Sequence, residues 1–240
     1  MPLCPRDLFW LDGVCCEDVG LRLQGPVTFS SPEPKVSVVS IPGRSGDLTF
    51  SEGTFSNVTG SARCFSLRSY DVDRVLAAVK RWSLLDTGYR RLTVSNEPGV
   101  YRLARVSIGP QTEIRMRCLA PFTLEMNCQP QRFLTAGELT IPLTASGATL
   151  HNSGFPARPL ITVYGSGAGN LSVAGTVVQI KRLSGSLTLD CELQDAYKGA
   201  ENKNADISAP EFPVLVPGDN HIGWTGGITR IDIIPRWWEV

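Results

Sequence analysis

From residue 136 to its end the chain is cut about every ten residues by turn-forming pairs. Between the cuts lie short runs of β-branched, leucine and aromatic residues. Cuts that close leave no room for helices of ordinary length, so this half must be built from strands. The runs are Leu139–Leu143, Pro159–Tyr164, Leu171–Val173, Thr176–Ile180, Leu187–Asp190, His221–Trp224 and Ile228–Ile234. Pro217-Gly218 and Gly226-Gly227 read as turns, the second closing a hairpin between the last two runs. Pro235 cannot donate to a ladder, so the final strand should stop there or lie on an edge. Gly165-Ser-Gly-Ala-Gly169 has the glycines of a phosphate loop, but a strand pattern follows where a phosphate cradle needs a helix N-terminus. It reads as a hairpin or loop of glycines. The polar, aperiodic stretch Asp195–Ala209 reads as a surface loop. The spacing as a whole is that of a β-sandwich or jelly roll.

The first half adds one helix to a set of strands. Val72, Val75, Leu76, Val79 and Trp82 recur at helical spacing on one face, Asp71 precedes them as a cap or first-turn acid, and Gly88 lies just beyond the end. Around this helix are alternating runs at Leu21–Gln24, Lys35–Ile41, Leu48–Ser51, Ala62–Arg68, Arg90–Ser95, Val100–Val106 and Glu113–Leu119. Pro98-Gly99 presets a type II turn and hence a hairpin between the two runs beside it. A single helix among strands must lay its apolar stripe on a sheet. The pattern lapses between Asn127 and Gly137, which places a boundary between a domain of residues 1–135 and one of residues 136–240.

At 240 residues, with 42% hydrophobic and 19% charged, the chain can bury a core in each domain. Net charge is zero. The first domain carries 16 Lys and Arg, 14 of them Arg, against 13 Asp and Glu. That excess is far short of a nucleic-acid footprint, which needs cations clustered on one face. Seven cysteines, an odd number without C-x-x-C spacing, argue against a disulfide framework and a zinc site. The first residues lack the apolar stretch of a signal peptide, and no run is long enough to cross a membrane as a helix. The expectation is a protein made and kept soluble in a reducing cytoplasm, with no membrane contact.

Catalytic patterns are absent. There is no Gly-x-Ser-x-Gly elbow and no H-x-x-x-H spacing, and His151 and His221, the two histidines, read as structural or surface residues. Asp190 and Glu192 fall on one exposed strand face rather than across a cleft. No metal, cofactor or catalytic residue is expected. Trp224, Trp237 and Trp238 could stack sugar rings, but consecutive Trp237 and Trp238 in extended chain point to opposite faces, so packing is the expected role.

Three segments, taken in order and with their spacing, carry a resemblance. They are Ile41-Pro-Gly-Arg-Ser-Gly-Asp-Leu48; Val79–Trp82 with Tyr89–Val94 and the hairpin Glu97–Val106; and Asn202–Asn204, Phe212–Leu215, Pro217-Gly218, Trp224–Gly227 and Pro235–Trp237. On these the chain resembles the distal tail (Dit) proteins of long-tailed, non-contractile bacteriophages. The resemblance implies a mainly β protein without catalytic activity. Its N-terminal β-sandwich, carrying one α-helix and tail-tube-like, would form a hexameric ring; its C-terminal galectin-like β-sandwich would point outward. It further implies a place in the virion between the tail tube protein and the tail-tip or receptor-binding proteins, with DNA only in transit through the channel. Sugar-binding inserts found in some relatives have no room in residues 136–240. Arg44 and Asp47 in the first of these segments, with Arg90 and Arg91, are the interface candidates. The competing reading is a carbohydrate-binding module or adhesin using the C-terminal sandwich, and a third is a glycan-cleaving enzyme.

Overall fold

The computed structural model describes residues 6–66, 72–108, 114–115, 118–119 and 122–240. The expected cap Asp71, and Glu113 with parts of the run after it, lie outside the described residues. The protein is mainly β and divides into two compact units, residues 1–132 and 133–239.

The strands of the first unit are β1 (Phe9–Leu11), β2 (Val14–Cys15), β3 (Leu21–Leu23), β4 (Thr28–Phe29), β5 (Pro34–Val39), β6 (Leu48–Phe55), β7 (Val58–Ser66), β8 (Arg90–Val94), β9 (Val100–Ile108), β10 (Ile114–Arg115), β11 (Cys118–Leu119) and β12 (Phe122–Cys128). One helix, α1 (Val72–Leu84), separates β7 from β8. The main sheet runs in the order β2-β1-β8-β9-β12-β7-β3, with β4 also on β7. Strict alternation along β12, where Phe122, Leu124, Met126 and Cys128 are buried, presents one face of this sheet to a core. Val75 and Val79 of α1 are buried in the same cluster, with Leu76 and Trp82 packed against it. The helix therefore lies on the sheet along the stripe its sequence displays. Trp82 meets the ring of Phe9 at 5.5 Å between centroids. The β8–β9 turn uses Gly99 at φ 80°, as a type II turn requires.

The second unit holds β13 (Arg132–Leu134, which straddles the division), β14 (Ile141–Leu143), β15 (Ala148–Asn152), β16 (Leu160–Val173), β17 (Thr176–Asp190), β18 (Asp195–Lys198), β19 (Glu201–Asn202), β20 (Ile207–Ser208), β21 (Gly218–Ile234) and β22 (Trp238–Glu239). Its sheet runs β14-β21-β16-β17-β18-β19, with β15 also on β21 and β20 on β17.

Here the structure corrects the sequence reading. Gly226-Gly227 is no hairpin turn: His221–Trp224 and Ile228–Ile234 are two parts of the 17-residue strand β21. In the same way β16 joins Pro159–Tyr164 to Leu171–Val173 through the glycine run, and β17 joins Thr176–Ile180 to Leu187–Asp190. The reason is a crease where glycines of neighbouring strands face one another. Gly165 lies opposite both Gly185 and Ile228, Gly169 lies opposite Gly226, and the register slips on both sides. A Cβ on Gly227 would sit 1.8 Å from the Ser166 carbonyl oxygen, and one on Gly165 2.0 Å from that of Gly227. Only glycine admits backbone that close. Beyond the crease on both sides the strands bury residues in one core: Ile161 and Val163 with Leu171 and Val173, and Ile222 with Ile231 and Ile233. A curled sheet thus supplies two walls from the same strands.

Two smaller corrections concern polar stretches. Asp195–Ala209 is no bare loop but contains β18, β19, a 3-10 turn and β20. It is held by Asn204, whose amide donates to Asp195 (2.6 Å) and whose oxygen accepts the Ala196 N–H (2.7 Å). Asp190 is buried rather than exposed beside Glu192; its carboxylate accepts two hydrogen bonds from Arg236, at 2.7 and 3.0 Å.

Candidate functional site: an exposed hairpin

Strands β5 and β6 pair only with each other among the described residues, forming a two-stranded sheet outside the main one. Every residue of β5 is exposed, and so are all but the ends of β6. The cross-strand register puts Val39, Leu48 and Phe50 on one face and Val36 and Val38 on the other. Val38 and Phe50 are each 57% exposed, with Val36 and Val39 at 47%. Exposed single apolar residues are ordinary; a run of them on both faces of a hairpin with both edges open is not. An isolated hairpin is marginal in water, and this one lacks a third strand.

Its base is fixed. The Ser56 N–H donates to the Glu33 carbonyl (2.8 Å), and the Asn57 amide donates to the Tyr89 hydroxyl and to Asn127, both at 2.7 Å. Its tip is the loop 40–47, exposed throughout, with Gly43 and Gly46 at φ 83° and 86°. Arg44 and Asp47 lie there, and the Arg44 N–H closes a turn on the Ile41 carbonyl (3.1 Å).

The other two interface candidates lie elsewhere in the unit. The Arg90 guanidinium donates to the carbonyls of Trp82 (2.8 Å) and Ser83 (3.1 Å), capping the C-terminus of α1. Arg91 lies 3.8 Å over the Tyr101 ring, and its backbone N–H donates to Asp12. Arg102 is buried, pairs with Glu97 and stacks 3.9 Å over Phe29. These three arginines of the first unit therefore make contacts within it. The residues that sequence reasoning missed are Val36, Val38 and Phe50. Their one available signal was Val38-Val39, which breaks the alternation that a strand with one buried face would keep.

Chemistry elsewhere is quiet. Burial pushes the thiols of Cys16 and Cys128 up to about 11 and those of Cys64 and Cys191 up to about 12, so none is a ready thiolate. Among the described residues no group of three or more His, Cys, Asp or Glu side chains could hold a metal ion. A polar groove of about 720 Å³ beside β17 contains Arg182, Lys198 and Lys203, and each is already engaged. Arg182 pairs with Asp206, Lys203 pairs with Glu201, and Lys198 donates to the Ser184 carbonyl. The three indoles of the C-terminal segment serve packing. Trp224, Trp237 and Trp238 lie against the second core, and Trp238 stacks on Phe155 at 4.9 Å while its N–H donates to the Pro156 carbonyl.

No family model matches the sequence, and no curated protein matches it. The fold does match a solved structure, that of the SPP1 Dit protein, described as a paradigm of the hub adsorption apparatus in phages that infect Gram-positive bacteria. The two superpose with a TM-score of 0.77 over 98% of this chain and 100% of that one, at 14% identity. Likeness at that identity is likeness of fold, and it extends through both units. The mainly β fold expected from the resemblance is the fold the two structures share.

Proposed function

We propose that the chain is a structural, non-catalytic subunit of a phage tail tip. Copies join through residues 1–132 into a closed ring, six-fold as the resemblance implies, lying between the tail tube and the tip or receptor-binding proteins. DNA crosses the ring only in transit, and the galectin-like second unit sits at the periphery. The β5–β6 hairpin is the observation that carries this reading. A ring subunit needs two different, complementary patches, so that each copy gives to one neighbour and receives from the other. An anchored hairpin with apolar faces and open edges is suited to be the giving patch. Arg44 and Asp47 at its tip are the charged groups placed to fix its seat. The fold shared with the SPP1 Dit protein supports the same reading. A sugar-stacking module gains no comparable support, because the indoles it would use are packed against the second core.

The test is to place aspartate at both faces of the hairpin, Val38→Asp with Phe50→Asp, in the full chain. Both side chains are exposed in the single subunit, so its thermal midpoint should stay within a degree or two of the parent's. The oligomer seen by light scattering should fall to monomer. A variant that assembles like the parent would remove the hairpin from the interface.

A further inference from the structure

The two histidines of this chain are seventy positions apart in sequence, and the fold brings them to neighbouring places in one ladder. β15 pairs with β21 so that Thr149 lies opposite His221 and His151 opposite Asp219. All four side chains point to the solvent side and are exposed, while Asn152, Asn220 and Ile222 between them point inward and are buried. His151 and His221 are therefore diagonal neighbours on one face. In an antiparallel pair such neighbours lie about 7–8 Å apart at Cα, within reach of long side chains.

Each imidazole is also held by the same ring atom. His151 Nδ1 donates to Asp219 Oδ1 at 2.6 Å, and His221 Nδ1 shares a hydrogen bond with Thr149 Oγ1 at 2.9 Å. Both Nε2 atoms are thus left free of these bonds. A carboxylate on one ring nitrogen is the usual support of a histidine that binds metal through the other, because it fixes the tautomer and orients the ring. As an ion pair alone, His151–Asp219 contributes little at 68% and 66% side-chain exposure.

We infer that His151 and His221 form a two-imidazole site for a divalent transition-metal ion, oriented by Asp219 and Thr149 and bridging edge strand β15 to β21. Two protein donors make an open, exchangeable site whose remaining positions water fills, unlike the closed four-ligand sites that hold structural zinc. Imidazole donors select zinc, nickel or copper over calcium and magnesium, which require oxygen. An ion held across the two strands favours the folded state, so metal should raise thermal stability.

The experiment is calorimetric titration of the untagged full chain with Zn²⁺, and separately with Ni²⁺, in the presence of excess Mg²⁺. One ion per chain should bind, and the thermal midpoint should rise with metal. His151→Ala and His221→Ala should each weaken binding more than tenfold and abolish the rise, while without metal each melts like the parent. Asp219→Asn should weaken binding about tenfold, the usual cost of losing an orienting carboxylate. No binding at millimolar metal would overturn the inference. So would equal binding by the double variant His151→Ala/His221→Ala, which would place the ion on other groups. Unchanged affinity in Asp219→Asn would remove the orienting role.

Discussion

Arg90 and Ser83 sit side by side at the end of α1, and their substitutions should act in opposite directions. Arg90 satisfies two carbonyls that the helix leaves open, so Arg90→Met, which keeps most of the stem, should cost about 1–2 kcal/mol in chemical denaturation. Ser83 is buried, and its hydroxyl has no hydrogen-bond partner among the described residues. Ser83→Ala removes that unmet group and should be neutral or slightly stabilising. Asp190 supplies a pH-dependent case. The hydrogen bonds from Arg236, ahead of every other influence, hold its carboxyl below the ordinary carboxylate value. As pH falls the unfolded chain binds this proton first. The pair's contribution is therefore complete above the ordinary value of about 4 and is lost as pH drops toward the lowered folded one. Asp190→Asn should be less stable than the parent by about 2 kcal/mol at neutral pH. That gap should close below about pH 4, as followed by urea midpoints across the range.

At the scale of elements, legibility followed the range of the interactions. The stripe of α1 could be read because helical periodicity is local and Val75 and Val79 have no other way to share a face. The turn at Pro98-Gly99 could be read because proline and glycine fix two adjacent dihedrals. The crease could not. Gly226-Gly227 between two apolar runs is the same string whether it turns a hairpin or bends a strand, and what decides is that another strand places Gly169 opposite Gly226 and Gly165 against the Gly227 carbonyl. Alternation in Lys35–Ile41 announced a strand, but whether either face is covered depends on a third strand or a partner. The cap role of Arg90 was not legible because the carbonyls it meets are placed by the tertiary fold. The crease itself can be tested within one strand. Gly227→Ala forces a Cβ onto backbone and should cost about 2–4 kcal/mol. Gly223→Ala, in the same strand, meets only the Ser146 hydroxyl oxygen at an ordinary 3.5 Å and should cost less than about 1 kcal/mol. Equal losses at the two positions would mean the glycines are not what permits the bend.

For the whole molecule, the two units divide the labour in the proposed role. The first combines a buried sheet-and-helix core with an apolar hairpin left outside it. The second closes its own core with a curled sheet and binds its C-terminal tryptophans inward. In the proposed role the work is done by docking surfaces rather than by reactive groups. Ring formation is therefore the claim on which the rest stands. It is met most directly by negative-stain electron microscopy of the purified full chain, imaged at concentrations spanning its assembly. Closed rings with an open centre, six subunits round, are the predicted result; single particles of one chain at every concentration would contradict it.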